Sequence, residues 1–268
     1  MRFTVSSTAL SSKLNALAKV INSKNSLPIL ADFLFDIQDN VLYLTASDSE
    51  NVINTQMELT ESDANGRFAI NNHDLLEAIK GFSEQPITFD VNLQDNIAKI
   101  SYQNGLFSLP VENADEYPQS QPITEGINTI VMPSNVLADN INRSLFATAQ
   151  DELRPVMNGI YFDLTPEHLA VVASDGHKLV RNKVFTVQSE QPASFILPKK
   201  PAGLLKNLLQ KDGGDVEIKF NERNAEINYG DGRLSCRLIE GRYPNYNSVI
   251  PQNNTNTLTV DRLALLAA

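Results

Sequence analysis

The sequence predicts an α+β fold of tandem repeated domains, each with two helices packed on antiparallel sheets. Two observations carry this. The chain repeats itself at an offset of 127 residues: Leu27-Pro28-Ile29-Leu30-Ala31-Asp32-Phe33-Leu34-Phe35-Asp36 falls on Arg154-Pro155-Val156-Met157-Asn158-Gly159-Ile160-Tyr161-Phe162-Asp163, and Ala46-Ser47-Asp48 on Ala173-Ser174-Asp175. Phe68, Tyr102, Gly105 and Ser108 likewise meet Phe195, Tyr229, Gly232 and Ser235. Within each copy, short runs of period-two hydrophobicity alternate with two stretches of helical period.

The elements follow in order. Residues 2–5 and 129–132 read as opening strands. Each is followed by an apolar stripe of helical spacing, Leu10, Leu14, Leu17 and Ile21 in one copy and Leu137, Ile141 and Leu145 in the other. Ser6 and Ser134 stand where N-caps are expected. Residues 33–37, 41–45 and 52–57 alternate as strands, with Asp39-Asn40 and Ser47-Asp48 as turns. Second helices are predicted near 72–80 and 201–211. Strands near 87–91, 98–102 and 106–111 close the first copy, for seven or eight strands per copy. Residues 119–128, polar and Pro-containing, form the linker. Val260 to Leu266 reads like Met132 to Ala138, so a third copy is expected to begin near the end of the chain and to be cut off early. The domain boundaries expected are 1–121, 129–250 and 251–268.

Composition narrows the function. The 268 residues carry a net charge of −10 and are 42% hydrophobic, a globular balance of about two domains. A single cysteine, Cys236, and three histidines exclude a disulfide framework and leave little for a metal centre; no cofactor is expected. No apolar run reaches the ~18 residues of a membrane span and the N-terminus lacks a secretory signal, so the expected location is cytoplasmic, with no membrane partner. The charge is segregated. The four helix windows, 6–24, 71–81, 134–146 and 199–211, together carry +6, which leaves −16 on strands and loops. Helices facing one direction would form a weakly positive strip in an acidic body, suited to loose contact with phosphate backbones.

Several motifs bear a family resemblance. Met1-Arg2-Phe3-Thr4-Val5 with Leu27-Pro28-Ile29-Leu30, Met157-Asn158-Gly159, Ala173-Ser174-Asp175-Gly176-His177-Lys178-Leu179 and Glu240-Gly241-Arg242-Tyr243-Pro244-Asn245-Tyr246 resemble, in order and spacing, segments of the bacterial DNA polymerase III β subunits, the sliding clamps. The resemblance implies the DNA-clamp fold and a processivity factor rather than an enzyme. It implies three domains per subunit and two subunits closed head to tail around duplex DNA, read without sequence preference. The polymerase, the clamp loader and repair proteins would dock through short linear motifs. A chain ending in its third domain would be a monomer or weakly associated.

By the same resemblance, Lys24, Lys80, Gln150, Lys199 and Lys200 occupy DNA-facing positions. Pro155-Val156 stand where the family often has aromatic residues, and Asn72-His73-Asp74 replace a basic patch. Met157, Ser174, Gly176, His177, Lys178, Leu179, Pro244 and Val249 match a pocket for a peptide with apolar anchors. Ser248 sits where the family often has Arg. Phe107 and Leu109 match the edge of domain one that meets a neighbouring subunit. Two other readings compete with this one. A hydrolase using Asp48 and Asp175 would need one active site, yet these positions recur in both copies, and no nucleophile triad, phosphate loop or metal spacing is present. His177 beside Asp175 has no counterpart pair in copy one, where Glu50 and Asn51 align with His177 and Lys178. A repeat module binding protein or carbohydrate is the second alternative.

Overall fold

Why two copies of one pattern give one continuous body is visible in the strand order. The computed structural model describes residues 1–22, 27–118, 122–151, 153–209 and 213–268. The first repeat runs β1 (Arg2–Ser6), α1 (Ser7–Leu17), β2 (Asp32–Gln38), β3 (Val41–Ser47), β4 (Asn51–Glu58), the two-residue β5 (Glu61–Ser62), β6 (Gly66–Asn71), α2 (Asn72–Ile79), β7 (Pro86–Asn92), β8 (Ile97–Tyr102) and β9 (Gly105–Glu112). The second runs β10 (Asn128–Pro133), α3 (Ser134–Ser144), β11 (Gly159–Leu164), β12 (Leu169–Ser174), β13 (Leu179–Val184), β14 (Ala193–Pro198), α4 (Lys199–Leu208), β15 (Asp215–Phe220), β16 (Asn224–Tyr229) and β17 (Gly232–Arg237). A last helix, α5 (Arg262–Ala267), follows a wholly exposed stretch.

The copies share one topology. The order β4-β3-β2-β6 recurs as β13-β12-β11-β14, and β9-β8-β7-β1 as β17-β16-β15-β10. All pairings are antiparallel. The repeats join edge to edge: β17 pairs with β4, with Leu234 opposite Ile53 and Ser235 opposite Val52, so 13 strands form one sheet across both copies. Ile53 and Leu234 are both buried and belong to one core that runs under the helices of both repeats. The register is pinned by tight hairpins. Asp39 and Asn40, at φ 48° and 66°, form the two-residue turn that keeps Gln38 opposite Val41.

Leu10, Leu14 and Leu17 of α1 are fully buried, one stripe on one helical face. Each contributes about 1.5–3 kcal/mol of burial, and Leu14→Ala would cost roughly 2–5 kcal/mol by leaving a cavity. Phe3 stacks on Phe89 at 4.8 Å and Phe35 on Phe68 at 4.9 Å, which fills the same core from the sheet. Ser6 is the N-cap of α1, its hydroxyl accepting from the Ala9 N–H at 3.2 Å.

The structure corrects the sequence reading in three places. Ser134 is not a cap: Pro133 holds that position without a side-chain bond, and Ser134, the first helical residue, donates to the Gly213 carbonyl instead. The first helices are shorter than their apolar stripes. Ile21 lies beyond α1 after a turn, and Leu145 opens a 3-10 turn after α3. The apolar periodicity continues because these turns still pack on the core. α4 starts at Lys199, two residues early, because Pro201 fits the first helical turn, where its missing N–H has no partner to lose.

Candidate functional site

Two regions gather the residues singled out from the sequence. The first is an outer-face pocket of about 310 Å³ on the second repeat, and it brings all eight pocket positions together: Met157, Ser174, Gly176, His177, Lys178, Leu179, Pro244 and Val249. Its rim is a turn organised by one carboxylate. Asp175 accepts from the His177 and Lys178 N–H groups at 2.9 Å each and from the Lys178 ammonium at 2.7 Å, and these bonds hold its carboxyl well below the usual range. Ser174 donates to the Lys178 carbonyl at 2.8 Å and accepts from the Gly176 N–H at 3.1 Å. Gly176 has φ +91°, and a Cβ there would come within 3.0 Å of Arg154 Nη1. The position therefore favours glycine twice over.

The opposite wall comes from the segment after β17. Tyr243 stacks on Tyr161 at 4.7 Å with rings within 1° of parallel, and the Tyr246 hydroxyl donates to Asp163 at 2.8 Å. These anchors fix the backbone that carries Pro244 and Val249. Burial pushes both phenols up to about 12, for Tyr246 with help from the Asp163 carboxylate, so both rings stay neutral. Tyr243, Asn245 and Tyr246 line the pocket too. Sequence reasoning missed them as lining residues although they lie inside the Glu240–Tyr246 motif. Met157 is nearly buried at the floor and Val249 is 67% exposed at the lip. A greasy, adaptable floor with a polar rim suits an apolar side chain presented by an extended peptide.

Asp48 builds the same turn in the first repeat. It accepts from the Glu50 and Asn51 N–H groups at 3.1 and 2.7 Å, while Ser47 accepts from the Ser49 N–H at 3.1 Å. Asp48 and Asp175 are thus turn organisers in equivalent places. Among the described residues, no group of three or more His, Cys, Asp or Glu side chains could hold a metal.

The second region is the helical side of the inter-repeat joint. α1 packs on β3 and β4, and α4 on β17, so helices of both repeats cover the same face of the shared sheet. The lysines there divide into two classes. Lys200 is committed: its ammonium donates to the Val20 carbonyl and Asn22 Oδ1 at 2.8 Å each and to the Asp48 carboxylate, whose side chain is only 4% exposed. The DNA-facing position expected for Lys200 is thus one whose ammonium already ties the second repeat to the first. Lys13 is likewise held by Asp231 of the second repeat and by Thr55. Lys80 pairs with Glu77 at 3.1 Å, which cancels its charge locally. Lys19, Lys199 and Lys206 are exposed and make no ion pair among the described residues. Gln150 is exposed just ahead of the Asp151–Arg154 pair, and Lys24 lies outside the described residues. Phe107 and Leu109 are half-buried on β9, Phe107 against Phe82 and Tyr102; it is Leu106, 60% exposed, that faces outward.

No helix is long and apolar enough to cross a membrane among the described residues. Comparison with known proteins gives two adjacent matches. Residues 1–121 match the family described as the DNA polymerase III beta subunit, N-terminal domain, and residues 131–245 match its central domain. Over 255 residues the chain is 28% identical to the beta sliding clamp of Haemophilus influenzae, covering 95% of this chain and 69% of the relative. It is 26% identical over 261 residues to that of Buchnera aphidicola, covering 97% and 71%. Among solved structures, the DNA polymerase III subunit beta of Pseudomonas aeruginosa superposes with a TM-score of 0.88 at 25% identity, covering 94% of this chain and 69% of that one. The beta subunit from Thermotoga maritima gives 0.81 at 26%, covering 94% and 68%. With two successive domains matched and the same topology in both repeats, the chain belongs to the DNA polymerase III beta subunit family, the beta sliding clamps.

Proposed function

We propose that the chain works as part of a ring around duplex DNA, tethering a replicative polymerase and other DNA-handling proteins through the Met157–Val249 pocket. Members of its family are non-catalytic accessory subunits of the polymerase. Residues 1–121 and 129–250 serve as clamp domains one and two, and 251–268 opens a third.

The observation that carries the ring reading is the joint itself. It is heterologous: β17 of one repeat meets β4 of the other, two different surfaces. The repeat offset makes β9 the counterpart of β17 and β13 the counterpart of β4. Among the described residues, β13 has no strand on its outer edge, and β9 meets β6 only at Val111 and Glu112. One donor edge and one acceptor edge therefore remain at opposite ends of the pair, the arrangement that head-to-tail closure requires. Phe107 sits where Leu234 sits in the joint, which supports its assignment to a subunit contact. Lys199, Lys19 and Lys206, without an ion pair among the described residues on the helical side, supply mobile phosphate contacts that need no sequence readout.

The test is topological. The protein, loaded by a clamp loader, is expected to stay on nicked circular plasmid and to leave within minutes of linearisation. Equal retention on both forms would overturn encirclement. For the pocket, calorimetry with a short peptide carrying two apolar anchors is expected to give binding that Leu179→Ala weakens about tenfold, in line with loss of a buried anchor contact of ~1–2 kcal/mol; unchanged affinity would remove that assignment.

A further inference from the structure

A second groove lies on the outer face of the inter-repeat joint, away from the helices. Two adjoining cavities of about 500 and 370 Å³ share Tyr43, Asn54 and Arg233, so together they form one trough across β4 and β17. Strand register explains why these side chains meet. Leu34 is opposite Thr45, Thr45 opposite Asn54, and Asn54 opposite Arg233, a single cross-strand row on one face of the sheet. Arg67, Asp36 and Tyr43 form the adjacent row on the same face.

The charges in the trough are unevenly satisfied. Asp36 lies 3.4 Å from Arg67 and accepts from Gln38 at 3.0 Å. Asp231, at the far end, is taken by Lys13. Arg233, at the centre, makes no ion pair among the described residues. Among the described residues its Nη2 reaches only Asn54 Oδ1, at 3.4 Å, and its buried Nε has no hydrogen-bond partner. A guanidinium held in a cleft without a carboxylate, in a chain of net charge −10, is the point of this surface that complements an anion. Beside it Leu34, Val52 and Pro118 give an apolar floor, and Tyr43 is 39% exposed. The second repeat treats the equivalent face differently: there Tyr246 covers Asp163, the counterpart of Asp36.

We propose that this trough is a second docking site, taking an extended acidic peptide whose carboxylate side chain meets Arg233 while an apolar neighbour rests on Leu34, Val52 and Pro118. A peptide fits better than nucleic acid because Arg233 is the one guanidinium of the trough without an ion pair among the described residues and stands beside an apolar floor, which suits one carboxylate with an apolar neighbour, whereas a run of phosphates needs a row of unpaired cations. The choice of a peptide rests on the partner-docking reading above; the anion preference of Arg233 does not.

The test uses fluorescein-labelled Ala-Phe-Glu-Val-Ala and its Gln counterpart, capped at both ends, with anisotropy read on the 268-residue chain. The Glu peptide is expected to bind about tenfold more tightly than the Gln peptide, as for one charge-assisted bidentate contact. Arg233→Met should abolish that preference. Should Arg233→Met melt early, Asn54→Asp provides the second variant: it supplies an internal carboxylate to Arg233 and should lower affinity for the Glu peptide at unchanged fold. Excess unlabelled apolar-anchor peptide, the ligand of the Met157–Val249 pocket, should not displace the Glu peptide. Equal binding of Glu and Gln peptides, an unchanged preference in both variants, displacement by the apolar-anchor peptide, or displacement by a single-stranded oligonucleotide at matched ionic strength would each overturn the proposal. Failure of the apolar-anchor peptide to bind at all would count against the Met157–Val249 pocket alone.

Discussion

Replacing Lys200 by Met separates a structural lysine from a DNA-facing one. In the native fold its ammonium ties α4 of the second repeat to the Val20 carbonyl, Asn22 and Asp48 of the first. Truncating one partner of a buried ion pair typically costs about 3–5 kcal/mol, because the remaining charge is stranded. Two features reduce the figure here. Asp48 keeps the Glu50 and Asn51 N–H groups and the Asn51 amide, at 3.1, 2.7 and 3.1 Å. Lys200 is itself 35% exposed, so water can reach the vacated space. The expected loss is therefore ~2–3 kcal/mol, or roughly 5–10 °C in Tm for a chain of this size. Removing both charges, in K200M with D48N, should recover part of it, and the coupling energy from the double-mutant cycle should exceed about 1 kcal/mol. DNA binding gives the opposite pattern. K200M should leave the salt dependence of DNA affinity unchanged, whereas Lys199→Ala should flatten the log–log slope by about 0.9, one phosphate contact, at unchanged Tm. A K200M chain that melts with wild type yet loses a unit of salt slope would refute the strut and restore Lys200 to the DNA face.

Three further outcomes are expected. Burial, with Glu112 adding repulsion, raises the Asp32 carboxyl to about 6, so the folded state holds that proton more tightly than the unfolded chain. The destabilisation is absent below about pH 4 and complete above about pH 6, with a ceiling of ~3 kcal/mol from the two-unit shift, so Asp32→Asn should raise Tm at pH 7.5 and not at pH 4; an equal shift at both would exclude this linkage. Gly176→Ala forces a side chain into a positive-φ turn against Arg154, and should weaken the apolar-anchor peptide severalfold while costing about 1–2 kcal/mol of stability, readable by urea titration with wild-type peptide affinity as the contrary result. Cys236 is buried and its thiol is pushed up to about 12, so a disulfide reagent should label one thiol only as urea unfolds the chain, and rapid labelling of the native state would contradict that burial.

Local physics made much of the fold legible. The buried stripe Leu10, Leu14 and Leu17, the Asp39-Asn40 turn and the alternation of Phe33, Phe35 and Ile37 each follow from side-chain period and turn chemistry. Element ends were less legible, because capping depends on what lies opposite: Ser134 is spent on Gly213, 79 residues away, as Ser7 is on Ser83 and Gln85. Charge counting failed for a related reason. A window sum treats Lys200 and Lys199 alike, yet one turns to a carboxylate 152 residues distant and the other to solvent. The pocket residues entered only through family resemblance, since nothing in the spacing of Met157, Leu179 and Val249 shows that they meet.

The duplication offers a sharper signal than either copy alone. Where both copies keep a residue type, it serves the shared fold: Asp48 and Asp175 each organise the turn that follows the second strand of their sheet. Where the copies diverge at an exposed position, the fold does not demand the difference. Ser49 and Gly176 both sit at positive φ in that turn, +79° and +91°, so the backbone conformation does not distinguish the copies; at Gly176 a Cβ would in addition press on the Arg154 guanidinium. Glu50 and Asn51 against His177 and Lys178 replace an acidic side chain by an imidazole and an amide by an ammonium without altering the turn's backbone hydrogen bonds. Leu234, buried in the joint, and its counterpart Phe107, half-buried on the partly open β9, differ in surroundings: Leu234 has Ile53 of β4 opposite it, whereas β9 meets β6 only at Val111 and Glu112 among the described residues. Arg233 departs from the repeat in the same way: its counterpart on β9 is the exposed Leu106, so the shared fold does not demand a guanidinium there, which is why its substitution tests docking apart from folding.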